Sequence, residues 1–170
     1  WSTPYLTKIR TSGSTFKEVV IFSGGYDINQ DIQDLDDRAA ADSMGNDVFI
    51  VDALTGHRIW SLQSSALGGA ASNGTSSVSH SIPGGLRILD MNQDGAVDRV
   101  YFTDTAAQVW RLEFPVGPSY DLKGARLIKL ADLGGSGSNS RMFFNEPDVA
   151  LLKHKGKPWL AISVGSGYRA

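Results

Sequence analysis

Hydrophobic and polar positions along this chain alternate or cluster in short runs, separated by Gly, Asn, Asp and Ser, and no sustained helical spacing appears. The runs lie at 18–23, 47–52, 57–62, 86–89, 99–103, 108–114, 126–130, 149–153 and 159–164. β-Branched and aromatic residues dominate them, as a pleated, half-buried surface requires. The pattern predicts an all-β fold of short strands and Gly-rich loops, with a short helical turn at 34–41 as its one exception.

The runs also repeat. Residues 48–52, a turn and 58–62 make one predicted hairpin; 100–104, a shorter turn and 108–112 make another, and Trp60 and Trp110 stand fifty positions apart. A third echo pairs 20–26 with 161–168. Short strands repeating every 40–50 residues or so are the signature of a β-propeller blade. About three blades fit into 170 residues, whereas propellers typically have four to eight. The expectation is therefore one fragment of a propeller domain, spanning 1–170, whose ring is completed outside this sequence or by other copies. The start at Trp1 rather than Met fits a processed product or fragment. The small-residue stretches at 64–81 and 134–140 read as blade-connecting loops.

Composition narrows the classes. Hydrophobic residues make up 41% and charged residues 20%, which is globular rather than disordered. A net charge of −2 gives no electrostatic case for nucleic acid or an anionic membrane. There is no cysteine, so disulfides and thiolate chemistry are excluded, and no run approaches the ~18 apolar residues of a membrane-spanning helix.

One stretch carries chemistry. Asp90-Met91-Asn92-Gln93-Asp94-Gly95-Ala96-Val97-Asp98 reads D-x-N-x-D-G-x-x-D. This is the spacing by which a short loop wraps a calcium ion, a hard cation that takes about six to eight oxygens. Asp90, Asn92, Asp94 and Asp98 would supply side-chain oxygens, Ala96 its backbone carbonyl, and Gly95 the sharp turn. An EF-hand would place a bidentate Glu at position 12 and start a helix there; here position 12 is Tyr101, and the flanks read as strands. The loop is thus expected to clip two β-strands together. A second run from Asp27 begins D-x-N-x-D but lacks the glycine and has Leu35 at position 9. It reads as a solvated acidic loop, with a second ion as the alternative.

Other candidates are weaker. His57, His80 and His154 have no ligand spacing, and neither a G-x-S-x-G nor a P-loop is present. The G-x-G-x-x-A at 165–170 has no helix behind it, and Asn73-Gly74-Thr75 is a glycosylation sequon by pattern alone. Trp159, Tyr168, Phe143 and Phe144 are expected in the core. No catalytic constellation emerges, and the expectation is a protein that is not an enzyme.

Two resemblances extend this reading. Asp52-Ala53-Leu54-Thr55-Gly56-His57-Arg58-Ile59-Trp60 resembles the tryptophan-docking repeat of quinoprotein propellers, in which the indole packs between blades and its N–H seeks a backbone acceptor. More broadly, the chain resembles the type IV pilus tip-associated adhesin and biogenesis factors, the PilY/PilC group. The matching segments are 22–27, 45–52 with Thr55-Gly56 and Trp60, the loop from Asp90 to Asp98 running on through 99–104, Val109-Trp110-Arg111, and 164–169.

That resemblance implies a modified β-propeller with quinoprotein-like blades and a Ca2+ site at Asp90, Asn92, Asp94, the Ala96 carbonyl and Asp98. It implies a role in pilus extension, twitching motility and attachment to host cells. The implied location is the bacterial cell surface and pilus tip, outer membrane-associated or secreted, with minor pilins and host-surface ligands as partners. No Arg-Gly-Asp occurs, so the integrin binding of some members is not carried over, and the family's N-terminal adhesive region has no counterpart here. The rival readings are a generic calcium-dependent extracellular binding propeller and a quinoprotein dehydrogenase.

Overall fold

The computed structural model describes residues 2–12, 15–31, 40–64, 77–116, 121–136 and 139–167. Among the described residues ten strands form three antiparallel sheets, none of them closed into a barrel. The first sheet is a meander of β1 (Tyr5–Ser12), β2 (Thr15–Ser23), β3 (Val48–Asp52) and β4 (Arg58–Ser61). The second repeats the plan with β5 (Arg87–Leu89), β6 (Arg99–Thr103), β7 (Gln108–Glu113) and β8 (Arg126–Asp132). The third holds two strands, β9 (Asp148–His154) and β10 (Lys157–Ser163).

Alternation explains the first sheet. Val19, Ile21 and Ser23 of β2 turn to one buried face, and their neighbours β3 and β4 add Val48, Ile50 and Trp60 to it. In β6 the burial is on both faces, since Val100, Tyr101, Phe102 and Thr103 are all shielded. A strand covered on both sides needs apolar residues at successive positions, which is how 99–103 reads.

The main core lies between the first two sheets. Ile21, Ile50 and Trp60 pack in one cluster with Val100, Phe102, Trp110 and Leu112, and Ile82 and Leu86 of the connecting segment close it. Trp60 meets Phe114 edge-to-face with ring centroids 5.9 Å apart, joining the first sheet to the segment that leaves β7. Trp110 stacks on Phe102 within the second sheet.

Three expectations need correction. β1 is a full strand that the sequence pattern missed, because of its eight residues Ile9 is the one buried hydrophobic. Trp159 is 58% exposed rather than in the core, because it stands on a two-stranded sheet, β9–β10, whose face at this position is left uncovered by the described residues. A 3₁₀ turn occupies Ile28–Asp31, where an irregular loop was expected. Of the predicted helical turn, 34–39 lies outside the described residues, as do the sequon and Tyr168. Phe143 is buried as expected, in a small cluster with Ala107 and Val109.

Candidate metal centre

The loop from Asp90 to Asp98 is held at its base by the β5–β6 ladder. Leu89 pairs with Arg99, and the Asp98 N–H reaches the Leu89 carbonyl at 3.0 Å. So the loop joins two strands, as the flanking sequence predicts. Gln93 and Gly95 adopt positive φ (62° and 87°), which turns the chain back on itself. Glycine takes such a φ without penalty, and Gln93 is the unforeseen second turning point.

Side-chain oxygens organise the interior of the loop. Asp90 accepts the Gln93 N–H at 2.6 Å through one oxygen and the Gly95 N–H at 2.8 Å through the other. Asn92 Oδ1 accepts the Asp94 N–H at 3.0 Å, and Asp94 Oδ1 accepts the Ala96 N–H at 2.9 Å. Asp98, 7% exposed, accepts the Met91 N–H at 2.8 Å and ties the exit of the loop to its entrance. Every side chain assigned to the ion is therefore an acceptor curled around this one backbone segment.

The first sheet also grips the loop. The Val97 N–H donates to the Lys8 carbonyl of β1 at 2.9 Å. Two residues on, the Arg10 guanidinium forms an ion pair with the other Asp94 oxygen, Oδ2. The Ala96 N–H, then Asn92 and Arg10, hold the Asp94 carboxyl below the ordinary carboxylate range against the opposing effect of burial.

No family model matches the chain, and no curated protein matches it in sequence. A solved structure does match in fold. The chain is similar to the crystal structure of the Pseudomonas aeruginosa PilY1 C-terminal domain. The TM-score is 0.59 at 18% identity, over 98% of this chain and 32% of the PilY1 chain. The chain thus spans about a third of the solved one. At this identity the likeness concerns the fold, and it agrees with the expected part-propeller of antiparallel sheets.

The residues of the loop suit a hard cation by donor chemistry: three carboxylates, one amide oxygen and a backbone carbonyl, with neither nitrogen nor sulfur. A positive group already stands at Asp94, namely the Arg10 guanidinium. Among the described residues, no three Asp, Glu, His or Cys side chains already converge on one metal-sized centre. The carboxylates accept backbone N–H groups of the loop, and holding an ion would require them to converge on one point.

The second acidic run behaves differently from its expectation. Asp27 is 1% exposed, not solvated. Its carboxylate accepts the N–H groups of Asn29, Ser43 and Met44 and the Ser43 hydroxyl. Burial opposes its ionisation, yet these donors hold its pKa below the ordinary value. It is a staple joining the segments at 27–29 and 43–44, and the remainder of that run from Ile32 lies outside the described residues.

A further polar centre escaped sequence reasoning. Asp104 is fully buried at the end of β6 and accepts the Trp110 Nε1–H at 2.7 Å, the Gln108 N–H at 2.9 Å and the Ala106 N–H at 3.1 Å. The second indole thus docks on a carboxylate rather than on backbone. Burial pushes the Asp104 carboxyl up to about 6, while these donors and the nearby His80 pull the other way. His80 is buried, with Nδ1 3.0 Å from the Ser79 hydroxyl, and His57 and His154 are exposed at their strand ends. Among the described residues no helix is long and apolar enough to cross a membrane.

Proposed function

We propose that this chain is a calcium-binding part of a type IV pilus biogenesis factor and tip adhesin, acting at the bacterial surface by binding and assembly rather than by catalysis. The supporting observation is the D-x-N-x-D-G-x-x-D loop clipped between β5 and β6 in a fold similar to the PilY1 C-terminal domain. The proposed partners are minor pilins and host-surface ligands, and the proposed consequences are pilus extension, twitching motility and attachment.

Asp90, Asn92, Asp94 and Asp98 would hold the ion through side-chain oxygens and Ala96 through its carbonyl. Bound calcium supplies positive charge that offsets three carboxylates in one turn. The residues do the rest. Asp98 closes the loop onto Met91, and the Asp98 carbonyl accepts the Phe114 N–H at 2.8 Å, linking the loop to the end of β7. A surface built on β5–β7 would therefore depend on whether the loop is closed.

Thermal unfolding and calorimetric titration test this. At calcium 100 times Kd the holo form gains about 2.7 kcal/mol, which is about 5–10 °C in Tm for a chain of this size. Wild type should show that rise over chelator, and Asp94→Ala should not. Equal melting temperatures in calcium and chelator would refute calcium closure of the loop. A second arm measures capture of purified minor pilins: calcium binding without pilin capture would replace the pilus role with a generic calcium-dependent binding module.

A further inference from the structure

The grip of β1 on the loop has a chemical meaning of its own. Strand alternation turns Ile9 into the core and Arg10 to the opposite face. The β1–β2 ladder shifts register between Arg10 and Ser12, an irregularity of the kind that re-aims a side chain. The guanidinium lies 5.1 Å from the centroid of the Phe16 ring on β2 and also pairs with Asp94. Both partners are largely shielded, with side chains 18% and 23% exposed. Because Oδ1 of Asp94 accepts the Ala96 N–H and Oδ2 holds Arg10, both carboxylate oxygens are engaged.

We infer that Arg10 is a tethered competitor for the ion: its guanidinium occupies Asp94 in the metal-free loop and must leave before calcium is held there. This rests on the calcium reading above. A divalent ion and a guanidinium repel at such close range, and Arg is the side chain suited to this task because it stays charged, forks onto carboxylates and stacks on a ring. Arg10 thereby weakens calcium binding, so the loop fills only above a raised threshold. Its release frees the segments around Thr11 and Phe16, so occupancy of a loop in the second sheet is reported in the first.

The test is calorimetric calcium titration of wild type, Arg10→Gln and Arg10→Lys. Hydrogen exchange at Thr11 and Phe16 is measured with and without calcium. Arg10→Gln should bind calcium about two- to fivefold more tightly. Arg10→Lys, which keeps the charge but loses the planar group that lies over Phe16, should fall between and covers the case in which the glutamine variant folds poorly. Calcium should accelerate exchange at Thr11 and Phe16 in wild type and leave it unchanged in Arg10→Gln. Equal or weaker affinity in both variants, with wild type binding, overturns the competitor alone. Binding by neither wild type nor variants overturns the calcium reading and the competitor with it. Binding by Arg10→Gln alone supports both in their strongest form.

Discussion

Asp104 shows how one carboxylate can set the acid response of this protein. Its pKa of about 6 in the folded chain lies above the ordinary 3.8, chiefly because it is buried. Between those values the folded state keeps a proton that the unfolded state has lost. The stability from this group is thus present at low pH and is lost as pH rises towards about 6. Asp27 and Asp52 have lowered values and act with the opposite sign: their contributions are lost as pH falls through their folded pKa. For Asp52 the Lys17 ammonium is the main cause, followed by the Thr55 and Leu54 N–H groups. Comparing Asp104→Asn with wild type isolates the one residue. Urea unfolding should show the variant gaining about 1–3 kcal/mol relative to wild type between pH 4.5 and pH 7. A difference that does not change with pH would mean that Asp104 does not titrate in this window. In the sequence Asp104 looked like the polar end of a strand, whereas Asp90, Asn92, Asp94 and Asp98 announced themselves by spacing. Burial of a single carboxylate leaves no spacing to read.

At the level of elements, the join between the first two sheets depends on close backbone approach. Gly45 sits at φ 81°, and a Cβ there would lie 2.6 Å from the Gly25 carbonyl oxygen and 2.8 Å from Ser81 Cβ. Gly56, in the β3–β4 turn, sits at a similar φ of 71° with nothing within 4 Å. Gly56→Ala should therefore cost only the left-handed penalty, about 1–2 kcal/mol. Gly45→Ala should cost about 2–4 kcal/mol, since the contacting loop must also move. Urea midpoints measure both, and a larger loss at Gly56 would contradict this account. The hairpins β3–β4 and β6–β7 were legible because alternation and turn residues agreed. β1 was not, because Tyr5, Leu6 and Ile9 do not share one buried face: Leu6 is 74% exposed. That strand is held by its hairpin pairing with β2 and by the distant loop it grips, neither of which leaves a burial pattern in its own sequence.

For the whole molecule, the repeat predicted about three blades, and the structure has two four-stranded sheets and one two-stranded sheet. Leu152 and Trp159, directly opposite one another on β9 and β10, are 52% and 58% exposed and form an apolar pair on one face of this sheet, while Leu151, 72% exposed, stands on the other. Leu152→Lys with Trp159→Lys should change monomer stability by no more than about 0.5 kcal/mol and should lower any self-association. Sedimentation velocity and urea unfolding of the double variant would check this; a loss of several kcal/mol would show that these side chains pack in the folded monomer. The sequence placed Trp159 in the core because aromatic strand residues usually pack, and that rule assumes a complete sheet around them.

The contact between β1 and the loop also bears on the order of assembly. Arg10 and Asp94 are separated by 84 positions, while the β5–β6 and β6–β7 ladders join near neighbours in the chain. Local ladders close quickly, and a distant contact must wait for both of its platforms. The full surroundings of the loop thus come into being last, after each sheet has formed and the two have docked. A chain whose sheets have not docked would present this loop without Arg10, so under the calcium reading proposed above its affinity for the ion would differ from that of the correctly assembled chain.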